Sequence, residues 1–310
     1  MTAGPVLSFV LVSVIWGTTF AAARIAVQEV PPLLVSALRY LLVFALLAPA
    51  AKGLARACRR DLLPRVLVSA ALMIGLAYGL LFWGLRSTPS GLAGLVNLSV
   101  IPVGLSGLAI LTGEERASWR LAGALALGLA GLLAIYWTRL GSGRIDLLGL
   151  TAIVVGSLCY CVGSVVARPL LRDLEAMTLT CLHALAGGLL LLAASVAIEA
   201  PDAQAFEALA GWRVLLSLAF LSVAGTIVAY TLYLRLMVSW GTARAGLYAF
   251  VSPVVALVAG KLAFGEEIGP VEIGGACLLL AGAALATFRK DRPQGRPTRP
   301  DPRPGSPSGN

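Results

Sequence analysis

Two side chains inside long apolar stretches of the sequence are able to carry a positive charge, and they are the first candidates for chemistry. Arg39 is predicted about 9 Å from one end of its stretch and His183 about 12 Å from one end of its own. A charged or titratable group at such depth is a functional candidate by default. A structural role stays open for both: the alternative for Arg39 is to snorkel outward or to pair with helix-end carbonyls, and the alternative for His183 is a neutral, hydrogen-bonded imidazole.

Uncharged polar and aromatic residues in the same stretches offer hydrogen bonds and stacking surfaces for a small molecule. Ten of them are candidates for lining a cavity: Trp16, Thr18, Tyr78, Trp83, Asn97, Tyr160, Tyr230, Tyr233, Tyr248 and Ser252. Because Tyr and Trp also form belts at membrane interfaces, some of the ten are expected to face lipid. Asn97 is the hardest to explain as packing, since a buried amide requires partners.

Two prolines in corresponding stretches are candidates for a kink or a gate. Pro102 and Pro253 are each predicted roughly 18 to 20 Å from one helix end, near the middle of the helix. A proline there leaves the carbonyl four residues earlier, that of Leu98 or Ala249, without its helical hydrogen bond. Symmetric placement favours a gate formed by the pair, whereas a plain packing kink stays open for either proline alone.

Two acidic triplets follow these stretches. Gly113-Glu114-Glu115 and Gly265-Glu266-Glu267 each combine a helix-terminating glycine with carboxylates that favour the N-terminus of a following helix. The favoured interpretation is a helix cap, and a vestibule for substrate or ions is the alternative.

The composition indicates that the segments that carry these residues are membrane helices. Of 310 residues, 58% are hydrophobic and only 13% are charged, with a mean hydropathy of +0.89, whereas a soluble domain carries about 25% charged residues. These values argue against a soluble enzyme, a disordered regulator or a nucleic-acid binder. The net charge of +9 is concentrated in residues 52–65 and 289–303, which flank apolar stretches, so nucleic acid is not needed to explain it.

Ten apolar runs are long enough to predict spanning helices. They cover residues 5–23, 33–51, 66–86, 90–112, 118–138, 147–167, 175–198, 211–234, 240–262 and 268–288. With the N-terminus in the cytoplasm, 17 Lys and Arg fall on the inner side and 6 on the other, so both termini are predicted to be cytoplasmic.

An internal repeat divides the chain into two units. Residues 92–131 and 245–282 match in a helix proline, a Gly-Glu-Glu triplet and a Gly-x3-Leu-x-Leu-Ala-Gly motif. Residues 1–145 and 146–288 are therefore predicted to be two five-helix repeats, and 289–310 a disordered, basic, Pro-rich cytoplasmic tail. Because five is odd, the second repeat is expected to be inverted in the membrane. The predicted fold is an all-α membrane protein of ten transmembrane helices in two inverted repeats.

The run Trp16-Gly17-Thr18-Thr19-Phe20, Arg39, and the repeated pattern from Pro102 to Gly131 resemble the EamA-type branch of the drug/metabolite transporter superfamily. The resemblance covers residues 5–288. It implies an exporter or facilitator of small metabolites in a bacterial-type cytoplasmic (inner) membrane, with a central cavity between the repeats. It does not imply a substrate.

The predicted function is secondary transport of a small neutral or zwitterionic organic metabolite, amino acid-like or amphiphilic, by alternating access. No cofactor or metal is predicted. A nucleotide-sugar or sugar-phosphate antiporter is the alternative within the superfamily, although a phosphorylated substrate calls for several cavity Lys or Arg. An intramembrane enzyme is a remote alternative, because one His and no mid-helix carboxylate supply no acid–base pair.

Two further questions stay open from the sequence. Small residues share one face of the fifth and tenth runs, so these helices are predicted to pack within the bundle or to form a homodimer. Either His183 carries protons for coupled transport or the protein is an uncoupled facilitator. The facilitator is favoured, because Glu175, the nearest acid along the chain, is eight residues away.

Overall fold

A computed structural model describes residues 3–51, 59–113, 118–142, 147–240, 245–267 and 269–287. These residues form helices and their connections, with no strand among them. Glu114 and Glu115 and the predicted tail 289–310 lie outside the described residues.

Ten long helical segments follow one another along the described chain. They are α1 Ala3–Glu29, α2 Pro32–Leu47, α3 Leu63–Gly84, α4 Ser90–Leu111, α5 Trp119–Ser142, α6 Leu147–Ala167, α7 Ala176–Glu199, α8 Trp212–Trp240, α9 Tyr248–Phe264 and α10 Pro270–Thr287. Six of them are long and apolar enough to cross a membrane, namely α1, α3, α4, α6, α7 and α8, and shorter apolar helices lie within the other four. A 3₁₀ turn, Arg168–Arg172, extends α6, and a short helix, Ala203–Leu209, precedes α8.

The largest departures from the predicted limits lie between α8 and α9. The eighth run was predicted to end at residue 234, but the Arg235 side chain is exposed and α8 continues to Trp240. Helix α9 begins only at Tyr248, so Pro253 is its sixth residue rather than a mid-helix proline. Pro102 is the thirteenth of the 22 residues of α4, as expected.

Successive long helices run in opposite directions, which gives the bundle two distinct ends. The near end, where α1 begins, includes the cluster of Leu62, Leu170 and Leu179 from the starts of α3 and α7 and the turn after α6. The far end, where α1 stops at Glu29, contains the starts of α2 and α4 and the last residues of α7 and α9. The main apolar core extends toward the far end and includes Phe82 and Leu85.

Helices α5 and α10 pack against each other through small residues. A Cβ atom added to Gly131 would lie 2.6 Å from the carbonyl oxygen of Gly275, and one added to Gly282 would lie 2.8 Å from that of Ala124. Such distances require glycine, because only its lack of a side chain lets the backbones approach this closely. Gly131 and Gly282 of the small-residue faces predicted from the sequence lie at this contact, whereas Gly274 does not.

Replacing Gly275 with alanine is expected to lower stability by roughly 1–3 kcal/mol, because the new methyl group would lie 2.8 Å from the carbonyl oxygen of Gly131. Gly274 is the matched control: nothing lies within 4 Å of its added Cβ. Gly274→Ala should therefore be neutral or gain up to about 1 kcal/mol from helix propensity. Thermal unfolding in detergent measures both, and equal effects of the two variants would contradict the α5–α10 contact.

Candidate functional site: a central cavity

A cavity of about 650 Å³ lies between the helices. Its lining side chains come from α1, α2, α3, α4, α6, α7, α8 and α9, and none comes from the described parts of α5 and α10. The lining reaches Leu47 at the end of α2 and Met177 at the start of α7, which both lie at the near end. Phe82 and Leu85 of the apolar core bound it toward the far end. The cavity therefore extends toward the near end and is closed at the far end.

Arg39 lines this cavity and is 6% exposed. Its guanidinium carbon lies 5.1 Å from the ring centres of Tyr40 and Tyr78 and 5.8 Å from that of Phe82. Its Nη2 donates to Thr226 Oγ1 at 3.3 Å, and its Nε has no hydrogen-bond partner among the described residues. The aromatic rings stabilise the cation by cation–π attraction, but they supply no negative charge.

An aromatic cluster of Trp16, Tyr233 and Tyr248 forms another part of the lining. The Trp16 and Tyr248 rings lie 4.4 Å apart, and Tyr233 lies 5.5 and 5.2 Å from them. Trp16 Nε1 donates to the carbonyl oxygen of Gly225 at 3.0 Å. Since Thr226, the next residue, bonds to Arg39, the aromatic cluster and the guanidinium are held next to the same segment of α8.

The buried amide and imidazole of the lining both have hydroxyl partners. Asn97 Nδ2 donates to Ser157 Oγ at 2.9 Å. His183, 6% exposed, has its Nε2 at 2.8 Å from Ser69 Oγ, and the tautomer decides which atom donates. In the described part of the chain, no carboxylate lies within 4 Å of His183. A hydrogen-bonded imidazole without an acidic partner is poorly equipped as a proton relay.

Most of the predicted cavity residues do line the cavity. These are Trp16, Tyr78, Asn97, Tyr160, Tyr230, Tyr233 and Tyr248, together with Arg39 and His183. Thr18, Trp83 and Ser252 do not. The Thr18 hydroxyl donates within its own helix to the carbonyls of Val14 and Ile15, and Trp83 is 41% exposed at the far end. Ser252 is fully buried and is not a lining residue. Neither Pro102 nor Pro253 is a lining residue.

Sequence reasoning missed Tyr40, Phe82 and Thr226, which surround Arg39. Tyr40 follows Arg39 directly, and this adjacency was the one available signal. The neighbours Phe82 and Thr226 come from helices far away in sequence, so no local pattern points to them.

A carboxylate clasp closes the far end between the two halves of the chain. Glu266 accepts hydrogen bonds from the backbone N–H groups of Ser90 and Gly91, at 2.7 and 2.8 Å, and from the Ser90 hydroxyl at 2.7 Å. It also forms an ion pair with Arg24, whose guanidinium lies over the ring of Phe264. The sequence predicted that this triplet would cap the helix that follows it, but Glu266 caps α4 instead.

Gly265 does terminate α9, as expected. It has a left-handed conformation with φ of 64°, and its N–H donates to the Lys261 carbonyl at 2.9 Å. This sharp turn brings Glu266 back along the end of α9 toward the start of α4. Glu267, the next residue, is exposed. Gly113 has the same left-handed conformation after α4, with φ of 73°.

A second carboxylate acts in the same way on α2. Glu199, at the end of α7, accepts from the N–H groups of Leu33 and Leu34 at 2.8 and 3.1 Å and from Ser195 Oγ at 2.7 Å. Helices α2 and α4 are preceded by Pro31 and Pro89, which have no side-chain acceptor. Their first N–H groups therefore need an acceptor from elsewhere in the chain, and a carboxylate also suits the positive end of the helix dipole.

Long apolar helices around a central cavity with aromatic, hydroxyl and basic side chains are the features of an integral membrane protein that can hold a small molecule. The EamA-like transporter family model matches residues 4–137 and 147–288. The chain therefore belongs to the EamA-like transporter family, which confirms the resemblance seen in the sequence.

Curated relatives of this chain are also transporters. A Salmonella typhimurium protein named "Probable amino-acid metabolite efflux pump" is 27% identical over 289 residues, which are 90% of this chain and 93% of its own. The inner membrane transporter YedA of Escherichia coli is 28% identical over 284 residues, 89% of this chain and 88% of its own. A crystal structure with 23% identity superposes with a TM-score of 0.59 over 93% of this chain and 97% of that one, which supports the fold alone. The chain is thus an integral membrane protein of a transporter family.

Proposed function

We propose that this protein exports, or equilibrates, a small neutral or zwitterionic amino acid-like metabolite across the inner membrane by alternating access. The observation that carries the proposal is the cavity of about 650 Å³, which is large enough for such a molecule and offers hydroxyls, one amide and aromatic rings. The name of the Salmonella typhimurium relative, an amino-acid metabolite efflux pump, agrees with this substrate class.

Both termini are proposed to be cytoplasmic, and all ten helices to cross the membrane as two inverted repeats, 1–145 and 146–288. On this orientation the near end faces the cytoplasm, so the cavity is proposed to be in its inward-facing state. The far-end clasp supports the proposal, because by the repeat alignment Glu114 and Arg168 are the counterparts of Glu266 and Arg24.

A phosphorylated substrate fits the cavity less well. Among the described residues that line it, Arg39 is the only Lys or Arg, whereas a nucleotide sugar or sugar phosphate carries at least two negative charges. No described group of three His, Cys, Asp or Glu side chains is arranged to hold a metal ion. The single arginine of the described lining therefore does not favour the antiporter.

Proteoliposomes preloaded with a mixture of L-amino acids provide the test. Wild-type protein is expected to exchange at least one labelled L-amino acid by counterflow, and an imposed pH gradient is expected not to concentrate it, since His183 has no carboxylate within 4 Å among the described residues. His183→Gln should retain counterflow because an amide preserves a hydrogen bond to Ser69.

Two results would change this proposal. Absence of counterflow for every amino acid would rule out amino acids as the substrate class. Gradient-driven accumulation in wild type that is lost in His183→Gln, while counterflow persists, would replace the facilitator with a proton-coupled transporter.

A further inference from the structure

We infer that Arg39 is the binding group for a carboxylate of the transported molecule, so that the substrate enters the cavity as an amino acid with a free carboxylate rather than as an amine or an amide. This inference rests on the proposed function and deepens it. The observation behind it is a charged side chain that is 6% exposed, faces the cavity and lacks a negative partner among the described residues.

The surroundings of Arg39 position the guanidinium without neutralising it. The rings of Tyr40, Tyr78 and Phe82 contact it as cation–π partners, and Thr226 accepts one hydrogen bond at a rather long 3.3 Å. The Nε–H group has no acceptor in the part of the chain that the structure describes. A guanidinium that is 6% exposed and has no carboxylate partner among the described residues is costly unless a ligand supplies a negatively charged acceptor.

The geometry of the missing acceptor favours a carboxylate. A guanidinium presents pairs of N–H donors in a planar fork, and a carboxylate accepts two of them with parallel hydrogen bonds. A single positive charge matches a single negative one, and the described lining contains no second Lys or Arg for a dianion. The rest of the substrate would then contact the aromatic cluster of Trp16, Tyr233 and Tyr248, which is held beside Arg39 by Gly225 and Thr226 of α8.

Two ion pairs among the described residues show how arginines with a structural role are neutralised in this protein. Arg24 pairs with Glu266, and Arg59 pairs with Asp61 on the surface. Arg39 has neither arrangement, although it is the most deeply buried of the three. If the role of Arg39 were purely structural, removal of its charge should destabilise the protein. If Arg39 binds a substrate carboxylate, removal of its charge should leave the ligand-free protein at least as stable as wild type.

The experiment compares each common L-amino acid with its C-terminal amide, using purified full-length protein. Binding is measured by the shift in thermal unfolding temperature and transport by counterflow in proteoliposomes. For the amino acids that are transported, the acid is expected to bind wild-type protein at least about tenfold more tightly than the amide. Arg39→Gln should bind acid and amide alike, with the acid weakened about tenfold or more, and Arg39→Lys should recover part of this preference because it keeps the charge without the fork.

Arg235→Gln, which removes an exposed arginine of α8, is the matched control and should behave like wild type. Ligand-free Arg39→Gln should unfold at or above the wild-type temperature. Amides bound and transported as well as the acids would overturn the carboxylate assignment while leaving amino-acid transport intact. Unchanged acid binding in Arg39→Gln, or its unfolding well below wild type without ligand, would overturn it as well. If wild-type protein neither binds nor transports any of the acids or amides, both the proposed function and this inference are wrong.

Discussion

Replacement of Glu266 with alanine should lower stability by about 3–5 kcal/mol, the loss typical of breaking a buried ion pair on one side. The carboxylate side chain is 5% exposed and accepts from Ser90, Gly91 and Arg24. Without it, two backbone N–H groups at the start of α4 and a partly buried guanidinium lose their acceptor together. Thermal unfolding in detergent, with and without the substitution, measures the effect.

Glu267→Ala provides the control for this prediction, because Glu267 is adjacent in sequence but exposed. Its substitution should change stability by less than about 0.5 kcal/mol. Glu266→Gln should fall between the two, since an amide oxygen still accepts from an N–H group but no longer neutralises Arg24. If Glu266→Ala were as stable as Glu267→Ala, the clasp would not be holding the far end.

The clasp also bears on transport, because it joins the two halves of the chain at the end of the bundle where the cavity is closed. Arg24 and Ser90 belong to the first half and Glu266 to the second. Movement of α9 away from α1 and α4 would have to break the ion pair and the cap together. The far end can therefore open only when other interactions formed during the transport cycle offset the free energy lost with the ion pair and the cap.

Some of the site could be predicted from sequence because its residue types are unusual in an apolar helix. Trp16, Asn97 and Arg39 were identified as candidates for this reason, and all three line the cavity. Thr18 was misplaced because a hydroxyl in an apolar helix can bond to its own backbone, as it does here to Val14 at 2.8 Å. Trp83 was wrongly assigned to the cavity because an aromatic ring near a helix end can also lie on the outer surface of the bundle.

The partners of Glu266 show what sequence alone does not reveal. The Gly-Glu-Glu pattern correctly marked a helix end, since Gly265 adopts the left-handed conformation that terminates α9. The helix that receives the carboxylate begins 176 residues earlier at Ser90, and the paired Arg24 is 242 residues away. Such pairing depends on how the helices assemble, and a local pattern carries no information about it.

Replacement of Glu199 with alanine tests whether the proline-preceded helices depend on caps from elsewhere in the chain. We expect a loss of about 1–2 kcal/mol, typical of a deleted N-cap, because Leu33 and Leu34 would lose the acceptor of their N–H groups and Pro31 offers none. The effect should be smaller than that of Glu266→Ala, since no ion pair among the described residues involves Glu199. Glu207→Ala, an exposed acid on the short helix Ala203–Leu209, is the control and should be neutral.

Hydrogen exchange locates this effect more sharply than global unfolding. The amides of Leu33 and Leu34 should exchange faster in Glu199→Ala, whereas those of Ser90 and Gly91, which are capped by Glu266, should keep their protection. Faster exchange at both helix starts would mean that the far end opens as one cooperative unit. Unchanged exchange at Leu33 and Leu34 would show that α2 does not need Glu199. The two helix starts should therefore respond separately, because each is capped by its own carboxylate.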